Sequence, residues 1–168
     1  MICPLSPAHF VALTAFQIFV LLLFVDISLA PLPLLLFLIC CLAAPFFPRL
    51  SFFLPIVSRG GKGAKGVALS FDDGPDPEVT PLVLELLARR NLSATFFVTG
   101  AAAQRHPEIV QAILAAGHTV GNHSYSHFPF LMLKGRAVLR REIEAAQEVF
   151  LRFGIVPLAF RPPVGITN

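Results

Sequence analysis

The chain has 168 residues, a formal net charge of +3 and 55% hydrophobic residues, with a mean hydropathy of +0.74. That length suffices for one ordinary domain, but the composition is too apolar for a wholly soluble one. The charge is spread thinly, without the basic stripe and interleaved aromatics that track a phosphate backbone, so nucleic acid is not an expected partner.

The apolar excess lies before Pro48, where Asp26 is the only formally charged side chain; every Lys and Arg lies at Arg49 or later. His9 to Val25 and Ile27 to Phe47 are two apolar runs, each about long enough to cross a hydrocarbon core of ~30 Å as a helix. A two-helix hairpin is the economical reading. It places Asp26, Pro31 and Pro33 near the turn, at the interface, where a carboxylate or a proline ring is tolerated. One span with an interfacial remainder is the alternative. A cleaved signal peptide fits less well, because residues 1–8 hold no Lys or Arg for a basic n-region. Residues 1–57 are therefore read as a membrane anchor. Arg49, Arg59, Lys62 and Lys65 follow it, and the positive-inside tendency would hold that side in the cytoplasm. Cys3, Cys40 and Cys41 fall in or beside the apolar part and reveal neither a redox compartment nor a zinc cluster.

Ser58 to Gly66, SRGGKGAKG, has the composition of a flexible linker, and a folded domain is expected over 67–168. Strands and amphipathic helices alternate through it. The pattern predicts strand over Val67 to Phe71, helix over Pro81 to Arg90, strand over Ala94 to Val98 and helix over Pro107 to Ala116, stopped by Gly117. A short strand over His118 to Gly121 follows, then a long helix over Gly135 to Phe153 with Val138, Ile143, Ala146, Val149 and Phe153 on roughly one side, and a last strand over Leu158 to Phe160. This alternation points to an α/β sheet or barrel, in which reactive groups gather where strands end. The polar candidates follow that rule, since each lies just after an expected strand.

Ser70-Phe71-Asp72-Asp73-Gly74-Pro75 puts adjacent carboxylates before a turn, so one can ligate a metal while the other faces a water; a solvated turn would also account for this motif alone. His123-Ser124-Tyr125-Ser126-His127 spaces two imidazoles four apart, which a helical turn would bring onto one face. Two His and a carboxylate with open positions form a common divalent-metal site, although a lone H-x-x-x-H is often a structural pair. Phe160-Arg161-Pro162-Pro163-Val164-Gly165 sets a guanidinium on a backbone stiffened by prolines, where it could orient a carboxylate; by itself it would be only a rigid loop.

In this order, and with Ala94-Thr95-Phe96-Phe97-Val98 between them, these motifs resemble the polysaccharide deacetylase group (NodB-homology, carbohydrate esterase family 4) over Val67 to the C-terminus. The resemblance implies a distorted (β/α) barrel, here incomplete, and a divalent metal, zinc or cobalt, held by Asp73, His123 and His127. Asp72 would be the general base and Arg161 would hold it. The metal would lower the pKa of bound water toward ~7 and polarise the amide carbonyl, and a tetrahedral oxyanion would rest near the backbone N–H groups around Tyr125, with Pro163 also on the substrate side. The implied reaction is removal of N- or O-acetyl groups from a glycan, in or on the cytoplasmic membrane of a bacterium.

Family members usually add an Asp/Trp-containing motif and a late Leu-x-His-like motif that supplies the acid, and neither precedes Asn168. His9, His106 and His118 are poor substitutes; His118, at the start of a strand, reads as structural. The domain is therefore expected to be truncated. Two further readings stay open: a deacylase of a membrane lipid-linked sugar, and an inactive metal-binding remnant whose protein partner, if any, is unknown.

Overall fold

The computed structural model describes residues 5–53, 55–57, 60, 61, 63 and 65–165. Cys3, the linker residues Ser58, Arg59, Lys62 and Ala64, and the end of the chain at Asn168 lie outside the described residues. The chain divides into two compact units, one over Met1–Lys62 with Thr167–Asn168, the other over Gly63–Ile166.

In the first unit α1 spans Pro7–Val25 and α2 spans Pro31–Ala43, and the two helices touch. Helix α1 begins where Ser6 donates its N–H to His9 Nδ1 at 3.1 Å and Pro7 takes a position whose N–H has no helical acceptor. It ends at extended Asp26, whose carboxylate accepts the Ser28 N–H at 2.9 Å and closes a turn over 27–30. Among the described residues α1 is the one helix long and apolar enough to cross a membrane, and Pro31–Phe46 is a shorter apolar run. The second apolar run is thus not one continuous α-helix. The Asp26 turn uses its first residues, and Pro45 and Pro48, which lack N–H groups, break its end into 3₁₀ turns at Ala44–Phe46 and Pro48–Leu50.

The second unit is built on a parallel three-stranded sheet of order β1-β2-β3, with β1 over Ser70–Gly74, β2 over Thr95–Val98 and β3 over Thr119–Asn122. Helix α3 (Val79–Arg89) connects β1 to β2. Helices α4 (Gly100–Arg105) and α5 (Pro107–Ala115) connect β2 to β3, and α6 (Arg136–Leu151) follows. The described strands form an α/β sheet that is open rather than closed into a barrel.

The strand period sorts the side chains. Phe96 stands opposite Val120 and joins Leu87, Val98, Val110, Ile113, Ala146, Val149 and Phe150 in the core, where Phe150 is fully buried. Burial of such a ring contributes about 1.5–3 kcal/mol. Phe97 stands opposite Gly121 on the other face.

Several expected elements shift. The first strand runs over Ser70–Gly74 rather than Val67 to Phe71, because its extent follows its partner β2 rather than its own apolar content; Val67 is 90% exposed. Helix α4 was not expected. Its signal is Thr99, whose Oγ1 accepts the Ala102 N–H at 3.3 Å as an N-cap. Val138 of α6 is exposed instead of joining Ala146 and Val149. The last strand reduces to a single parallel bridge, Asn122 to Phe160, since Pro157, Pro162 and Pro163 leave few N–H groups for a ladder.

Candidate active site

The site forms at the C-terminal ends of β1 and β3. In β1 the register slips by one residue: Phe71 faces Phe96, but Gly74 faces Val98, so Asp72 and Asp73 share the space of one residue. This bulge, with Asp73 at φ 69°, sends the two carboxylates to different partners. Asp72 Oδ1 accepts from Arg161 Nη1 at 2.5 Å, and Asp73 Oδ1 lies 3.1 Å from His123 Nε2 and 2.9 Å from His127 Nε2.

The two histidines come together in an unexpected way. Residues 123–128 form no helical turn; instead Ser124 and His127 adopt positive φ, 65° and 55°, and fold the segment back so that the imidazole centroids are 4.9 Å apart. His123 is buried, its N–H continues the ladder to the Val98 carbonyl, and His127 is half-buried. One ligand atom from each of Asp73, His123 and His127 lies within 4.8 Å of the others.

The donor chemistry of this trio fits a cation. His123 Nδ1 is 2.7 Å from the Arg161 carbonyl oxygen, which can only accept, so that nitrogen carries the proton. In the neutral ring Nε2 then presents its lone pair to the Asp73 oxygen, and two acceptors face each other favourably only around a cation or a proton. A backbone carbonyl fixing the tautomer of a histidine ligand is a recurrent device of metal sites. Asp73 is exposed, which leaves the trio open to solvent on one side.

Arg161 is held three ways. Its Nη1 also donates to Ser70 Oγ at 3.0 Å, and its guanidinium lies over the Phe97 ring, 3.9 Å from the centroid. The Phe97 ring in turn covers Gly121, where an added Cβ would meet ring carbon at 2.5 Å.

Two expected site residues differ from expectation. The Tyr125 N–H, expected to face an oxyanion, donates to Glu142 Oε2 at 3.2 Å, and the Tyr125 hydroxyl donates to Gln104 Oε1 at 3.1 Å. Pro163 is fully buried and has no N–H to offer, so it can shape the pocket wall but not donate. His118 is buried against Phe96, with ring centroids 5.5 Å apart, and takes no part in the trio. Sequence reasoning missed Phe97, Asn122 and Glu142. Asn122, directly before the first histidine, had a local signal; Glu142 had none, because its partners are 16 and 17 residues away.

The polysaccharide deacetylase family profile matches residues 59–168, more than half of the chain. The chain belongs to the polysaccharide deacetylase family. A peptidoglycan-N-acetylglucosamine deacetylase of Bacillus cereus is 45% identical over 100 residues, 59% of this chain and 36% of that protein. A chitooligosaccharide deacetylase of Sinorhizobium fredii is 45% identical over 91 residues, 54% of this chain and 42% of that protein. The solved family 4 carbohydrate esterase from Streptomyces lividans, in complex with acetate, aligns with a TM-score of 0.57 at 40% identity, covering 60% of this chain and 53% of that one. The chain therefore spans less than half the length of these two curated relatives.

Proposed function

We propose that this protein is a metal-dependent hydrolase that removes acetyl groups from an N-acetylated glycan of the peptidoglycan or chitooligosaccharide class. The observation that carries the reading is the pairing of two groups in one strand bulge: Asp73 converging with His123 and His127, and Asp72 beside it in the grip of Arg161. Asp73, His123 and His127 would hold a divalent cation, zinc or cobalt, which supplies Lewis acidity and a lowered pKa for bound water. Asp72 is the group positioned to take the proton of the attacking water, and Arg161 fixes the direction of its carboxylate. Asp73, although adjacent, is committed to the histidines and has a separate role.

The membrane reading rests on α1 and the apolar run after it, with a glycan or a lipid-linked sugar as the substrate at the membrane surface. A second reading keeps this chemistry and changes the substrate to a lipid-linked sugar: Arg49 and Lys65, with Arg59 and Lys62 in the sequence between them, favour a cytoplasmic face for the second unit.

The direct test is acetate release. The full chain in detergent, loaded with Zn²⁺ or Co²⁺, is expected to free acetate and expose amines on N-acetylglucosamine oligomers or peptidoglycan. Stoichiometric metal binding without acetate release from any acetylated glycan would sink the hydrolase reading and leave a metal-binding remnant.

A further inference from the structure

Each backbone N–H of the segment carrying the two histidines has a defined acceptor. His123 donates to the Val98 carbonyl at 3.0 Å, Ser124 to Asn122 Oδ1 at 2.9 Å, and His127 to Ser124 Oγ at 3.2 Å. Tyr125 and Ser126 both donate to Glu142 Oε2, at 3.2 and 2.8 Å. From the other side, the Ser124 and Tyr125 carbonyls accept the Gly100 and Ala101 N–H groups at 2.9 and 3.0 Å. The segment is neither helix nor strand, and Ser124 and His127 hold positive φ, a region that side-chain-bearing residues avoid unless their surroundings impose it.

Among these acceptors Glu142 reaches in from a distant element. It lies in the first half of α6, and the next residue, Ile143, accepts from Asn122 Nδ2 through its carbonyl at 3.2 Å. Further along the helix Ala146, Val149 and Phe150 are buried in the core, so α6 is an anchored platform. A carboxylate accepting two N–H groups makes charge-assisted bonds, stronger than those of a neutral acceptor.

We propose that Glu142 is a positioning residue for the metal centre: by drawing the Tyr125 and Ser126 amides onto one oxygen, it sets the spacing at which His123 and His127 present Nε2 to Asp73. The inference rests on reading that trio as a metal site. Glu142 is not part of the converging trio of Asp73, His123 and His127, and its Oε2 is engaged by the two backbone amides.

The experiment is Co²⁺ titration of the full chain in detergent, read by affinity and by the visible d–d spectrum, with thermal melting of the metal-free protein alongside. The wild type is expected to bind one Co²⁺. Glu142→Ala should weaken binding roughly 10- to 100-fold and alter the spectrum, the scale found for partners outside the ligand set. Glu142→Gln, which keeps an acceptor oxygen at the same reach, should recover most of the loss. Glu144→Ala, on the same helix and paired only weakly with Arg140 at 4.0 Å, should bind as the wild type. Wild-type affinity and spectrum in Glu142→Ala, or a Glu142→Gln as weak as Glu142→Ala, would overturn the proposal. If Glu142→Ala does not melt cooperatively, Glu142→Asp decides, its carboxylate being one methylene short: weakened binding with a changed spectrum supports the role, and wild-type binding overturns it. A wild type that takes up no Co²⁺ overturns the metal reading itself, and the role of Glu142 with it.

Discussion

Arg161 serves His123 and Asp72 with different parts of one residue: its carbonyl oxygen accepts from His123 Nδ1 at 2.7 Å, while its guanidinium donates to Asp72 Oδ1. The backbone of the Arg-Pro-Pro motif thus orients a proposed metal ligand, and its side chain orients the proposed base. The two functions separate on substitution. Arg161→Ala keeps the carbonyl and should retain one metal per chain while losing most acetate release. Arg161→Lys should not restore activity, because an ammonium provides neither the planar fork nor the flat face that stacks on Phe97. Loss of metal in Arg161→Ala, measured by titration, would contradict the division.

Asp73 and Asp72 should separate in the same way. Asp73→Ala and His127→Ala are expected to abolish stoichiometric metal binding. Asp72→Asn is expected to leave it largely intact while activity falls roughly 10²- to 10⁴-fold, the usual worth of a positioned base. Equal loss of metal in all three variants would refute the separate roles.

Gly121 is required by Phe97 rather than by its own backbone. A methyl group there meets the Phe97 ring at 2.5 Å, and that ring supports Arg161. Gly121→Ala should cost about 1–3 kcal/mol in urea unfolding, as overpacking does. Unchanged stability would mean that the ring moves aside freely.

Asp76 makes α3 sensitive to acid. Its carboxylate accepts the Val79 and Glu78 N–H groups at 2.7 and 2.9 Å, which hold its pKa below the ordinary value, the Val79 bond contributing most. A depressed folded pKa means that this contribution is fully present above the unfolded value of about 3.9 and is lost as pH falls through the folded one. Asp76→Asn should therefore lose less stability than the wild type between pH 5 and 3, measured as the urea midpoint. Parallel pH profiles would show that Asp76 does not contribute.

If α1 anchors the chain, the protein should stay in the membrane fraction through alkaline carbonate washing and leave it with detergent. Release by carbonate alone would rule out a span.

The sequence alone carried the family, the α/β alternation, the order of the three polar motifs and the identity of the residues in the trio, because each is encoded in short contiguous stretches: an apolar strand, a turn-forming Gly-Pro, a pair of histidines four apart. It also placed Pro31 and Pro33 near the turn between two apolar runs, whereas the structure puts Pro31 in the first turn of α2, where proline fits. What only the tertiary structure decided is how those residues meet. The helical spacing of His123 and His127 suggested one helical face, yet a loop at positive φ brings them together, held by Glu142 from a helix far along the chain. The bulge that parts Asp72 from Asp73 is a property of the pairing between β1 and β2, invisible in either strand alone. The Arg161 carbonyl that orients His123, and the Phe97 ring beneath its guanidinium, depend on backbone direction across the sheet. These are long-range contacts, and local propensity carries no record of a hydrogen bond whose two ends lie 38 residues apart.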